Sequence, residues 1–197
     1  MTVKLRAGTA NSGELRQGRR SALPELERRL TIERDDGLAS LPALLTVVAR
    51  VRSEGGDYPP ARVESNVAAY ANWLTEETAI ARWVGRTGDT VVGHVLLAKP
   101  GDYLDEFLSS LGSGSPFDSF VEIGRLFVDP VARGRGVGRS LLATAASEAE
   151  DRHLLPVLVV RDTEERAVRL YRAEGWREAG SLPSARGGYF RIFLRDR

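Results

Sequence analysis

The segment Arg133-Gly134-Arg135-Gly136-Val137-Gly138-Arg139-Ser140 constrains this chain most, because it follows a strand-like apolar run and opens a helix. The run is Val121-Glu122-Ile123-Gly124-Arg125-Leu126-Phe127-Val128; the chain turns at Asp129-Pro130, and helical spacing continues from about Val137 through Leu141-Leu142-Ala143 to roughly Arg152. Strand, glycine turn and helix in that order set unpartnered main-chain amides at the positive end of a helix dipole. Phosphate oxygens are drawn to such amides. Glycines at 134, 136 and 138 let an anion come close and permit positive φ, while Arg133, Arg135 and Arg139 add charge beside it. The segment, through Val137 and Ser140, reads as a pyrophosphate cradle.

Two familiar phosphate motifs do not fit it. A P-loop needs Gly-Lys followed by Ser or Thr, and the only lysines are Lys4 and Lys99. A dinucleotide fingerprint needs G-x-G-x-x-G in the first turn of a doubly wound unit, with an acidic residue about 20 positions on. Here the third glycine is too close, and the motif falls two-thirds along the chain. The pattern instead resembles motif A of the GNAT N-acetyltransferases, R/Q-x-x-G-x-G/A, with Arg133, Gly136 and Gly138 at the defining positions. Leu126-Phe127-Val128-Asp129-Pro130 is similar to that family's preceding strand and turn, and Leu141-Leu142 to its apolar helix pair. Downstream, Ala167-Val168-Arg169-Leu170-Tyr171-Arg172-Ala173-Glu174-Gly175-Trp176 resembles a second signature, A-x-x-L-Y-x-x-x-G-F, with tryptophan for phenylalanine. The resemblance spans about Leu30 to Arg195 and is strongest from Glu122 to Trp176. Glu164 stands where the family often has asparagine, so no cofactor contact is carried to that position.

The resemblance implies an α/β fold: a mixed, mostly antiparallel sheet flanked by helices, whose central parallel strands splay apart. Acetyl-CoA would be the acyl donor, its pantetheine arm entering the gap and pairing with backbone near Leu126, Phe127 and Val128. An amide there that donates to the thioester oxygen would contribute about 3 kcal/mol to the transition state. Tyr171 is the candidate general acid, a phenol able to protonate the departing thiolate; the other reading is a core tyrosine sealing a helix to the sheet. Glu122, 11 residues before Arg133, is the candidate general base for the ammonium of the acceptor. Against that stands a carboxylate paired with Arg125 or Arg161 at a strand end. His94 and His153 are alternatives in principle. Tyr58, Trp73, Tyr103, Asp57, Asp102, Asp105 and Asp118 fall in regions that cover the acceptor side in the resembled family, where an acidic, aromatic mouth would suit a cationic amine.

The chain as a whole agrees with an enzyme of this kind. Its 197 residues, 42% hydrophobic, can bury one substantial core. We expect an extension over residues 1–29, in which Ser21 can cap a short helix, and an acetyltransferase domain over 30–197. Without cysteine there is no disulfide, thiolate metal site or cysteine acyl-enzyme, so acyl transfer is direct or uses another nucleophile; no metal is expected. A net charge of +1 argues against nucleic acid as partner. No apolar stretch approaches the length of about 18 residues that spans a membrane, and the first residues lack a signal-peptide core, so a cytoplasmic location is expected. The partner expected is a small-molecule primary amine; an acetyltransferase of protein N-termini or lysines, an idle acyl-CoA-binding module and a homodimer all stay open.

Periodicity completes the reading. Strands are expected at Leu30–Arg34, Thr78–Arg86 and Thr90–Ala98, the last two a hairpin about Thr87-Gly88-Asp89, with Gly93 marking a bulge. Helices are expected at Leu41–Val51 with Ser40 as cap, Arg62–Leu74, Asp102–Leu111 and Glu164–Glu174. Pro156–Val160 should lie parallel to the strand of Glu122, and Trp176–Gly180 with Tyr189–Leu194 should close the sheet as an antiparallel pair.

Overall fold

The computed structural model describes residues 29–54, 58, 66–75, 78–111, 120–185 and 187–195. The β-branched and apolar runs form seven strands: β1 Leu30–Arg34, β2 Ala79–Thr87, β3 Thr90–Ala98, β4 Phe120–Val128, β5 Leu155–Arg161, β6 Arg177–Pro183 and β7 Tyr189–Leu194. They make one sheet in the order β1-β2-β3-β4-β5-β7-β6. Every neighbouring pair is antiparallel except β4 and β5, which are parallel and joined through a helix. The helices are α1 Leu41–Ser53, α2 Val67–Leu74, α3 Asp105–Ser110, α4 Val137–Asp151 and α5 Glu165–Ala173. This is the mixed, mostly antiparallel architecture that the motifs imply.

Strand alternation divides the core between two faces. On one, Val121, Ile123, Leu158 and Phe193 pack with Leu141, Leu142 and Ala145 of α4 and Val168 and Tyr171 of α5. On the other, α1 and α2 cover Val84, Val91 and Phe127, while Leu104 and Leu108 beside α3 cover Phe120, Val157 and Ile192. Glu122 and Gly124 share the parity of Phe120 and so fall between these two clusters. The first turn of α4 sits hard on the sheet because two glycines lie opposite each other beneath it, Gly85 on β2 and Gly93 on β3. A Cβ on Gly93 would meet the Phe127 carbonyl and Leu141 Cδ1 at 2.9 Å, closer than a methyl group tolerates. Gly93 therefore sets the height of the cradle helix above the strands, and the bulge expected there is an extra residue beside it, Val92.

Several local expectations are corrected. Ser40 sits at the cap position of α1 but makes no side-chain cap; its hydroxyl accepts from Arg86 Nη2 at 2.7 Å and its amide donates to Asp35 Oδ2. Helix α2 starts at Val67 because Asn66 is extended and accepts from the Ala69 amide at 2.8 Å, an N-cap that the apolar spacing did not show. On this helix Val67 is exposed and Tyr70, Trp73 and Leu74 are buried. The helix expected over Asp102–Leu111 is a 3-10 turn, Asp102–Leu104, followed by α3. The short helix after Ser21, the start of the Arg62 helix, Asp57 and Asp118 lie outside the described residues.

Candidate active site

Strands β4 and β5 pair only from Phe120↔Leu155 to Ile123↔Leu158. Beyond that point β4 continues along β3 to Gly93↔Val128 and β5 continues along β7 to Arg161↔Phe190, so the two parallel strands part company. The cause lies in β4. Between His94↔Phe127 and Leu96↔Gly124 this strand holds one residue more than β3, and Arg125 takes φ +50° to accommodate it. Such a bulge bends and twists its strand. The backbone of Gly124–Val128 thereby loses its β5 partner and lines an open cleft of about 1990 Å³.

The glycine turn closes one end of that cleft. Gly134 and Gly136 have φ of +76° and +82°, and a Cβ on either would meet no atom within 4 Å: glycine is set there by backbone angle, and the space beside it is open. Gly138 differs, since its Cβ would make ordinary 3.5 Å contacts with Val128 and Leu170. The first helical bond of α4 runs from the Ser140 amide to the Gly136 carbonyl, which leaves the amides of Val137, Gly138 and Arg139 ahead of the helix's own ladder. These residues line the cleft, whereas Arg135 and Ser140 do not. The Ser140 amide is already used in that first bond, and Arg135 is exposed. The open turn and its unladdered amides fit the diphosphate of a coenzyme.

The arginines of the motif have protein partners. Arg133 pairs with Glu54 and Arg139 with Glu174, so neither presents an uncompensated charge. Arg50, four residues before Glu54 on α1, reaches the buried Asp129 at 2.9 Å, and Asp129 also accepts from the Val131 amide. Two ion pairs, from Arg50 on α1 and from Glu54 just past its end, thus clamp the turn that leads into the cradle.

The candidate catalytic groups open into the same cleft. Glu122 Oε1 accepts from the Tyr103 hydroxyl at 2.7 Å and Oε2 from the Gly101 amide at 3.4 Å. Arg125, one of its expected ion partners, turns to α2: Nε donates to the Trp73 carbonyl at 2.5 Å and the guanidinium lies over the Trp73 ring. The other, Arg161, holds the β6–β7 turn through Ser184 Oγ and the Gly187 carbonyl. Tyr171 projects from α5 with its ring edge-on to Phe193 at 5.6 Å, and burial raises its pKa well above the usual phenol value, so the proton stays on at neutral pH. Glu106, Tyr58, Trp73 and Tyr103 also line the cleft; Asp102 and Asp105 do not.

The acetyltransferase (GNAT) family profile matches residues 49–176, more than half of the chain. The chain belongs to the GNAT acetyltransferase family. It is 31% identical over 140 residues to the N-alpha-acetyltransferase RimI of Mycobacterium tuberculosis, covering 71% of each chain. An uncharacterized Mycobacterium leprae protein is 36% identical over 98 residues, half of this chain but only 23% of that longer protein. Among solved structures, a Pyrococcus horikoshii protein superposes with TM-score 0.64 at 21% identity, over 86% of this chain and 99% of its own. A Salmonella typhimurium acetyltransferase solved with acetyl-CoA does so with TM-score 0.58 at 16% identity, over 84% and 92%. At these identities the structures show the shared fold.

In this GNAT chain His94 does not line the cleft. It is 1% exposed and stacked on Phe127 at 5.3 Å, Nδ1 donates to the Arg125 carbonyl at 3.0 Å, and among the described residues Nε2 has no hydrogen-bond partner. Burial pushes its pKa down from 6.5 to about 4. The unfolded chain therefore takes up the His94 proton first, and stability falls as pH drops from about 6.5 to about 4, by roughly 3 kcal/mol in all. Urea unfolding at pH 7 and pH 4.5 should show this loss, and His94→Gln should remove most of it. No sequence signal pointed to the Arg50 and Glu54 clamp or to the Tyr103 bond to Glu122, because each joins segments far apart in the chain.

Among the described residues no helix is long and apolar enough to cross a membrane.

Proposed function

We propose that this protein transfers acetyl from acetyl-CoA directly to a primary amine of a small molecule in a ternary complex. The observation that carries the reading is that one cleft joins the glycine turn, the splayed strand Gly124–Val128, the carboxylate of Glu122 and the phenol of Tyr171. Glu122 takes a proton from the ammonium, and the freed nitrogen attacks the thioester carbon. A C–N bond forms, the C–S bond breaks, Tyr171 gives its proton to the leaving sulfur, and the second proton that the nitrogen sheds as the amide forms restores the phenol. The phenol is protonated at neutral pH when the thiolate appears, and burial favours that neutral form. With no cysteine in the chain, a cysteine acyl-enzyme plays no part.

A second reading is favoured by the likeness to RimI, which is named an N-alpha-acetyltransferase: the acceptor would be an α-amine, that of a polypeptide N-terminus. A panel of alkylamines, polyamines, amino acids and short peptides, assayed by thiol release from acetyl-CoA, separates the two. Tyr171→Phe should lower kcat by about 10² on the best amine while leaving acetyl-CoA affinity unchanged. Full activity in that variant removes the acid role. Acetyl-CoA binding without turnover on any amine would favour an idle binding module.

A further inference from the structure

Arg125 is held at three points. Its backbone takes φ +50°, a conformation a non-glycine residue keeps only where its surroundings over-determine it. Its carbonyl is displaced from regular pairing by the bulge and accepts from His94 Nδ1 at 3.0 Å. Its side chain crosses to α2, where Nε donates to the Trp73 carbonyl at 2.5 Å and the guanidinium carbon lies 5.2 Å from the Trp73 ring centroid.

The chemistry at α2 gives that crossing a consequence. Trp73 lies in the last turn of Val67–Leu74, where carbonyls lack helical donors and the dipole is negative, so a guanidinium there caps the helix. A helix of eight residues is marginal by itself and depends on such contacts. Trp73 also stacks on Phe127, two residues beyond Arg125 on the same strand. The last turn of α2 is therefore fastened to the stretch of β4 that lost its β5 partner.

We propose that Arg125 is a positioning residue that couples the cofactor strand to α2, so that acetyl-CoA laid along Gly124–Val128 firms the acceptor wall of the cleft. The inference rests on reading that strand as the site of the pantetheine arm. A cofactor that pairs with the bulge narrows the motion of Arg125, and the guanidinium carries the restraint into α2; acceptor binding then meets a wall already ordered.

Hydrogen exchange of the full-length protein, with and without acetyl-CoA, tests this. Acetyl-CoA should slow exchange in peptides covering the cradle, Val137–Leu142, and in those covering Tyr70–Leu74, the latter by about fivefold or more. In Arg125→Asn the left-handed backbone is kept, since asparagine tolerates it, but the side chain cannot reach the Trp73 carbonyl. Protection of the cradle should persist and that of α2 should vanish. Arg125→Lys, with its charge and length, should give an intermediate value and serves if the asparagine variant fails to fold. Equal α2 protection in wild type and both variants, or none in wild type beside a protected cradle, overturns the coupling. Loss of cradle protection in the wild type would overturn the cofactor reading and the coupling with it.

Discussion

Glu122→Gln should lower kcat by about 10³ at pH 7, within the range for removal of a general base, and leave the acetyl-CoA Kd unchanged. Glutamine is isosteric and its amide oxygen can still accept from Tyr103, so the shorter of the two bonds is kept while the long one from the Gly101 amide and proton acceptance are lost. The deficit should depend on pH. An alkylamine with a pKa near that of lysine, about 10.4, arrives protonated at neutral pH and needs a base, whereas near pH 10 much of it is already neutral. Steady-state rates on the best amine from the panel should therefore converge for wild type and variant as pH rises. A kcat within threefold of wild type at pH 7 would assign the deprotonation to another group.

Gly136→Glu should weaken acetyl-CoA binding by at least about 10², read by calorimetric titration. The position is open, so the side chain meets no protein, and its carboxylate would stand among the amides at the head of α4. There it competes with the diphosphate and repels it; a like-charge juxtaposition of this kind costs several kcal/mol. The φ of +82° also opposes any Cβ, at about 1–2 kcal/mol. Gly136→Asn separates the two terms, because asparagine accepts the left-handed region and adds no charge; it should bind within about tenfold of wild type. Unchanged affinity in the glutamate variant would remove the diphosphate from this turn.

The elements around the cradle were legible because they are local. Strand β4, the turn after it and α4 lie within one uninterrupted stretch, and their order follows from periodicity and glycine placement. Glu122 and Tyr171 were reached through motifs, and the structure brings both to one cleft. The pairings that were not legible have a common cause. The arginines of the motif look like phosphate ligands in the sequence; Arg133 and Arg139 line the cleft and also meet Glu54 and Glu174, which spacing cannot announce. Arg125 looked like a partner for Glu122 across three residues of strand. The bulge turns it toward Trp73, 52 residues away in sequence.

By itself the sequence determined the strand-turn-helix unit, the backbone freedom at Gly134 and Gly136 and the family, because each depends on neighbours within a few residues or on a fixed spacing. Only the tertiary structure decided where β4 and β5 separate, which carboxylates answer which arginines, that His94 is buried and neutral, and that Tyr103 holds Glu122. Those outcomes depend on which distant segments pack together and how much water they exclude, and burial and pairing are properties of that packing.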